Sequence, residues 1–261
     1  MASSATYPVD ERSKGVRLAK RTTYDTDLVH TIINSCPILH VSFNAPNKDT
    51  NEPQFPTILP MLGAVGEFGN DEEAHLYLHG SSAARLFRIT QNAEIPLCVC
   101  GTHVDGYVLA LAPFHNSCNY RSAVCFGHGS MVSEPDEVSF ALRLITNNSI
   151  PARWENSRAP PTKAELTATG ILKMRVETAS AKVRTGGPSD DRADLTNADV
   201  VGRTWTGVVP TYMVLGEPMA GEYNEVKRVP EYLEDWVADV NSLNEQRAVD
   251  AVEAKVEGSA K

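Results

Sequence analysis

The sequence predicts an α+β fold, mainly antiparallel β, in which a sheet or barrel is flanked by a few helices. Two observations carry this reading. At least six segments alternate apolar and polar residues with period two, and only a few stretches keep the 3.6-residue period of an amphipathic helix. A third observation narrows it: no strand–GxGxxG–helix, GxxxxGK(S/T) or GxSxG sequence occurs, which argues against Rossmann, P-loop and hydrolase-elbow sites.

The elements follow in order. Residues 1–22 are polar and basic (Arg12, Lys14, Arg17, Lys20, Arg21) and read as an extended arm. In "YDTDLVHTIINS", Asp25 or Asp27 caps a helix that carries Leu28, Ile32 and Ile33 on one face. "CPILHVSF" is a strand, "NAPNKDTNEPQF" a turn-rich stretch, and "PTILPMLGAVGEF" a second strand interrupted at Pro60. "AHLYLH" is a third strand, and "SSAARLFRITQN" a short helix beginning at Ser81 or Ser82. "IPLCVCGTHVDGYVLALAPF" reads as two β-rich runs around a turn at "HVDG". "NYRSAVCFGHGSMVSE" is a strand with a bulge at Gly127 or Gly129. "PDEVSFALRLITNNSI" is helical, "PARWENSRAPPTKAEL" a loop ending in a helical turn, and "GILKMRVETASAKVR" a long strand. "TGGPSDDRADLTNADV" is a polar loop and "WTGVVPTYMVLGEP" a final strand. From Pro230 an amphipathic helix (Tyr232, Trp236, Val240, Leu243) fades into a frayed tail.

Composition limits the partners. A formal net charge of −9 argues against general nucleic-acid binding, which needs a basic surface, but leaves room for a local basic pocket. Five cysteines without a framework of spacings point to free thiols in a reducing compartment. There is no secretory h-region and no run of 18 apolar residues, so the expectation is a cytoplasmic protein with no membrane span.

Three segments can carry chemistry. At "HLYLHGSSAARL", a helix N-terminus, the hydroxyls of Ser81 and Ser82, the guanidinium of Arg85 and the tight chain reversal and close approach allowed by Gly80 suit a phosphate monoester. The simpler alternative is a serine cap with Arg85 in solvent. In "NYRSAVCFGHG", Tyr120 and Ser122 share one strand face and Arg121 lies on the other with Ala123 and Cys125, where it needs a partner if buried. In "SAKVRTGGPSDD", Lys182 and Arg184 share a face beside a glycine-rich loop, suited to an anionic ligand or to ion pairs with Asp190 and Asp191. "CVCGTH" reads as a buried strand with packed thiols rather than a zinc site, so no metal is expected.

The succession "PTILP", "HLYLHGSSAARL", "NYRSAVCFGHG", "ETASAKVRTGGPSDD" and "WTGVVP" resembles the flavin-nucleotide-binding branch of the pyridoxamine 5′-phosphate oxidase-like superfamily, from about Arg17 to Pro218. The resemblance implies a six-stranded split β-barrel with flanking helices, spanning 23–229 as an FMN-binding domain, with the C-terminal helix and tail at 230–261. It further implies a homodimer with FMN at the subunit interface. The strand matching Thr57, Ile58, Leu59 and Pro60 would border the flavin ring, and His79, Gly80, Ser81, Ser82 and Arg85 would approach the ribityl phosphate. Tyr120, Arg121 and Ser122 would lie at the cofactor, with Lys182 or Arg184 closing the site. The chain lacks the "RLHDR"-type end of true pyridoxamine-phosphate oxidases, so vitamin B6 oxidase activity is not inferred.

The function expected is an FMN-dependent oxidoreductase acting on a small planar substrate, with NAD(P)H as an electron source and His79 and Tyr120 as the candidate acid–base groups. Two alternatives stand beside it. One is a haem-binding or haem-degrading protein with His79 as axial ligand; the other is a non-catalytic FMN-binding module.

Overall fold

Asp25 accepts a hydrogen bond from the Leu28 N–H and so starts the first helix. That helix then buries Val29, Ile32 and Ile33 completely, each apolar side chain contributing about 1.5–3 kcal/mol by leaving water. In the computed structural model, which describes residues 5–45, 55–70, 73–91 and 93–254, fifteen strands and helices follow one another. They are β1 (Thr22–Thr23), α1 (Thr26–Ser35), β2 (Leu39–Phe43), β3 (Thr57–Gly66), β4 (His75–Ser81), α2 (Arg85–Ile89), β5 (Ile95–Leu109), β6 (Ser117–Met131), α3 (Pro135–Ser149), α4 (Lys163–Ala168), β7 (Thr169–Arg184), α5 (Arg192–Leu195), α6 (Ala198–Arg203), β8 (Gly207–Pro210) and α7 (Glu231–Glu253). Most of the turn-rich stretch expected at 44–55, and the tail after 254, lie outside the described residues.

Six strands close an antiparallel barrel in the order β7-β4-β3-β2-β5-β6, with β6 returning to β7; β1 joins β7 and β8 joins β5. The chain divides into two compact units, residues 1–102 with 122–181, and residues 103–121 with 182–261. The first unit holds the barrel. Its core runs from α1 through Leu39, Val41, Leu76, Leu78, Leu97 and Val99 to Leu172 and Met174. On the other face of β3 and β4, Ala64 and Tyr77 pack with Ala141 and Ile145 of α3. That layer is anchored by buried polar contacts: Tyr77 Oη donates to Glu137 Oε1 at 2.8 Å, and Lys173 Nζ meets the same oxygen at 2.7 Å. The N-terminal arm docks on this unit, where Tyr7 Oη and His30 Nε2 are hydrogen-bonded at 2.6 Å and Arg12 reaches both Asp10 and Glu177.

In the second unit Asn119, Arg184 and Asp105 are buried. Asn119 Nδ2 donates to the carbonyls of Gly186 and Ala251, and the Gly186 N–H donates to Ala251 at 2.7 Å. The end of β6, the 186–187 loop and α7 are thereby tied together. On the outward side of this unit, Tyr107 of β5 opposes Val209 of β8, and both are about half exposed.

Several sequence expectations are corrected. Pro60 does not interrupt β3, which runs unbroken with Pro60 opposite His40. A proline is tolerated there because β4 has already left that side of the strand, so a missing N–H breaks no ladder. "HVDG" is not a turn: β5 is continuous through it, with Asp105 bonded to Arg121 and Gly106 opposite Pro210. The burial alternation of β6 keeps its phase through Gly127 and Gly129, so neither marks a bulge; they admit close neighbours instead. The polar loop after β7 contains α5 and α6, and the final strand shortens to Gly207–Pro210.

Gly127 tests barrel closure. A Cβ at this position would overlap the Arg175 carbonyl oxygen on β7, backbone that cannot rotate away. Gly127→Ala is expected to lower stability by about 1–3 kcal/mol, measured as a fall in the urea midpoint at unchanged slope. An unchanged midpoint would contradict the closure.

Candidate functional site: the parting of two strands

β3 and β4 pair from Gly66↔His75 to Leu62↔His79 and no further. Beyond that point β4 stays with β7, through Gly80↔Gly170 and Ser81↔Thr169, while β3 stays with β2, through Met61↔Leu39 to Thr57↔Phe43. The sheet therefore splits. One lip is the edge of Thr57, Ile58, Leu59 and Pro60, with Ile58 59% exposed. The other is Gly80 and Ser81 with the loop to α2, and His79 stands at the apex.

Phe87 sets the position of the second lip. Its ring, 1% exposed, occupies the space where side chains on Gly80 and Gly170 would lie, and these two glycines face each other across β4 and β7. Gly80 thus serves an aromatic ring from its own domain rather than a chain reversal, because the strand continues extended to Ser81. The helix expected from Ser81 begins only at Arg85, spans five residues and has Ala84 at its cap without a side-chain bond. Ser82 is committed internally: its Oγ donates to the Thr167 carbonyl at 2.9 Å and its N–H to that of Ala168. Ser81 Oγ accepts from the Ala83 N–H. The helix-terminus argument for a phosphate is therefore replaced by a simpler set of donors, the exposed Ser81 hydroxyl and the exposed Arg85 guanidinium.

His79 is half-buried, and burial pushes its imidazole below the ordinary histidine value. His30, held by the Tyr7 hydroxyl, is lowered for the same reason, with Asp27 and Glu67 opposing. Ser122 lies in this first unit on β6, half-buried. Cys125 is sealed in the core, where burial first and the neighbouring Cys98 and Cys100 second push its thiol up to about 12, so it is not a nucleophile. An apolar cavity of about 330 Å³ opens elsewhere in the unit, among Val138, Leu142, Pro160, Leu166 and Ile171; none of the sequence-predicted residues lines it.

The remaining predicted residues belong to the second unit. Arg121 has the partner its strand face demanded: Nε and Nη2 donate to the two carboxylate oxygens of Asp105, each at 2.9 Å, and Asp105 is 4% exposed. Arg184, expected to close the cofactor site, is buried and donates to Asn119 Oδ1 and to the Gly187 carbonyl, so it braces the glycine loop. Lys182 and Tyr120 are half-buried. Asp190 accepts from the Leu111 N–H and Asp191 meets His115. Asp105 and Asn119 escaped the sequence reading; the signal for Asp105 was the arginine in need of a partner 16 residues further along the chain.

A closed six-stranded antiparallel barrel whose sheet parts between two neighbouring strands is a split barrel. The chain belongs to the pyridoxamine 5′-phosphate oxidase family, whose model matches residues 25–183. Among solved structures it is similar to the flavocytochrome Anf3 from Azotobacter vinelandii, at 28% identity over 87% of this chain and 97% of that one, with a TM-score of 0.69. It is also similar to the FAD and haem binding protein from Mycobacterium smegmatis, at 24% identity over 83% and 97% of the two chains, with a TM-score of 0.67. No curated protein matches the chain. No helix among the described residues is long and apolar enough to cross a membrane.

The two lowered histidines define an acid dependence. Below about pH 6.5 the unfolded chain protonates both imidazoles while the folded chain resists, so stability falls as pH drops. The urea midpoint is expected to fall between pH 7.5 and 5.5, and His30→Gln/His79→Gln is expected to lose less over the same interval. An equal loss in both proteins would contradict this assignment.

Proposed function

We propose that this protein is a flavoprotein that holds a flavin nucleotide at the split between β3 and β4 and uses it in redox chemistry on a small planar substrate. The observation that carries the reading is the end of the β3–β4 ladder at Leu62↔His79. It leaves a strand edge with an exposed apolar face at Ile58 opposite the exposed Ser81 and Arg85. An apolar lip suits a flat ring, and a hydroxyl with a guanidinium suits a phosphate through charge-assisted bonds. Both sets of residues fit a flavin nucleotide, and the fit does not need the second unit. The similarity to a flavocytochrome supports the same reading.

A bound flavin would supply hydride or single-electron transfer; the protein supplies placement and electrostatics. Thr57–Pro60 would border the ring and Arg85 with Ser81 would hold the phosphate, while Ser82 fixes the loop that presents them. FMN is our choice of nucleotide, NAD(P)H our choice of electron donor, and the cytoplasm, where the five free cysteines stay reduced, our choice of compartment. His79, neutral and at the apex, is one candidate acid–base group, and Tyr120 is the other.

A second reading is compatible with the first. The His79 side chain has no hydrogen-bond partner among the described residues, and burial favours its neutral form, the state in which an imidazole ligates iron. With the similarity to a flavocytochrome, this favours haem ligation by His79. We also propose a homodimer, supported by the exposed apolar side chains of the second unit, Tyr107, Val209, Trp205, Phe114 and Met213, too many for a lone surface.

The absorption spectrum of the purified protein tests the first two readings. Bands near ~375 and ~450 nm are expected for oxidised flavin and a Soret band for haem, since the cofactor's own chromophore sets them. Chromatography of the released flavin separates FMN from FAD. A protein that takes up neither cofactor would refute both readings. Arg85→Ala is expected to weaken flavin nucleotide binding by about 1.5–3 kcal/mol and riboflavin binding little; equal loss for both would remove Arg85 from the phosphate. For assembly, light scattering is expected to give a dimer mass that Tyr107→Asp/Val209→Asp reduces to the monomer; a monomeric wild type would refute the dimer.

A further inference from the structure

Among the described residues, the second unit contains an arginine with no partner of its own. Arg247 lies on α7, four residues before Ala251 and so on the same helix face. The Ala251 carbonyl receives Asn119 Nδ2 at 3.2 Å and the Gly186 N–H at 2.7 Å, which fixes this turn of α7 beside Asn119 of β6, and Ala248 and Ala251 are the buried residues of the helix. Asn119 and Arg121 are two residues apart on β6 and share a strand face. α7 thereby brings Arg247 to the Arg121–Asp105 pair, and these are the two charges that act on it. Asp105 is already spent, because both of its oxygens accept from Arg121 at 2.9 Å. Among the described residues Arg247 makes neither a hydrogen bond nor an ion pair.

Two half-buried guanidiniums thus accompany one carboxylate that only Arg121 engages, an excess of one positive charge in a chain whose formal net charge is −9. Burial and the like charge of Arg121 both work against the protonated state of Arg247, burial more. Such a grouping is costly without an anion and favourable with one. The exposed carboxylates of α7 do not answer it: Asp250 accepts from Gln246 instead.

We propose that Arg247, with the Arg121–Asp105 pair behind it, forms a binding subsite for a phosphate group of a small ligand. Arg247 supplies the free planar fork and Arg121 the second positive charge. Asp105 keeps Arg121 oriented and limits the excess charge to one. The subsite consists of second-unit residues alone and does not depend on the flavin reading.

Inorganic phosphate is the probe. The protein as purified, titrated calorimetrically against phosphate at constant ionic strength, is expected to bind it, and Arg247→Gln is expected to weaken that binding tenfold or more, since a charge-assisted bond contributes about 1.5–3 kcal/mol and each 1.4 kcal/mol is tenfold. Arg247→Lys keeps the charge and loses the fork, and is expected to fall between the two. It answers the same question should the glutamine variant fail to fold. Repeating the titration with the protein saturated by FMN or by FAD separates two sources of the phosphate group. Exclusion of phosphate by FAD assigns the subsite to the flavin nucleotide, exclusion by FMN assigns it the phosphate in place of Ser81 and Arg85, and undiminished binding assigns it to a second ligand; each result supports the subsite. Absence of phosphate binding in the wild type freed of flavin, or wild-type affinity in both variants, would overturn it.

Discussion

The ring of Phe87 lying over the facing pair Gly80 and Gly170 is the contact on which the candidate site depends. It holds α2 against β4 and β7, and so holds the end of β4 to β7 at the point where β3 leaves with β2. A side chain at either glycine would compete with the ring for the same volume, and a buried aromatic that is displaced loses both its area and its packing. The split is thus enforced by packing inside the barrel wall, and the lips of the opening follow from it. Thr57–Pro60 are left at an edge, and Ser81 and Arg85 are carried to the opposite side.

The anchoring of the second lip is distributed. Ser82 joins the end of α4 through its hydroxyl and its N–H. α4 begins at a capping box, in which Thr162 Oγ1 accepts from the Glu165 N–H and Glu165 accepts from the Thr162 N–H. Arg158 lowers the Glu165 carboxyl to about 2, chiefly by hydrogen bonding, which keeps the box ionised across the physiological range. In the second unit the polar order is different in kind. Arg121–Asp105 and Arg184–Asn119–Gly186–Ala251 are buried networks that fix strand ends, a loop and a helix, and they leave Arg247 over.

Much of the barrel was legible because period-two alternation survives wherever one strand face is buried, and α1, α3 and α7 because their apolar residues keep helical spacing. What failed did so for local reasons. "HVDG" carries the residues of a turn, but Asp105 is satisfied by Arg121 from the neighbouring strand, a contact that no local window contains. Gly80 invited a reversal, whereas its partner Gly170 lies far along the chain and only the register brings the two together. The serines suggested a helix cap, yet Ser82 is claimed by the carbonyls of Thr167 and Ala168. For the site, the two first-unit segments chosen from the sequence do flank one opening. Arg121 and Arg184 were chosen for their charge but are largely occupied by protein groups, and Arg247 drew no notice because an arginine on an exposed amphipathic helix is ordinary until its neighbours are known.

Hydrogen exchange measured with and without bound flavin tests most directly whether the split is where the cofactor sits. Slower exchange is expected in two separated segments at once, Thr57–Met61 and Gly80–Arg85, which are the two lips of the opening, with the β3–β4 ladder from Leu62 to Gly66 little changed. Protection confined to other parts of the chain, with both lips exchanging as they do without flavin, would contradict the assignment.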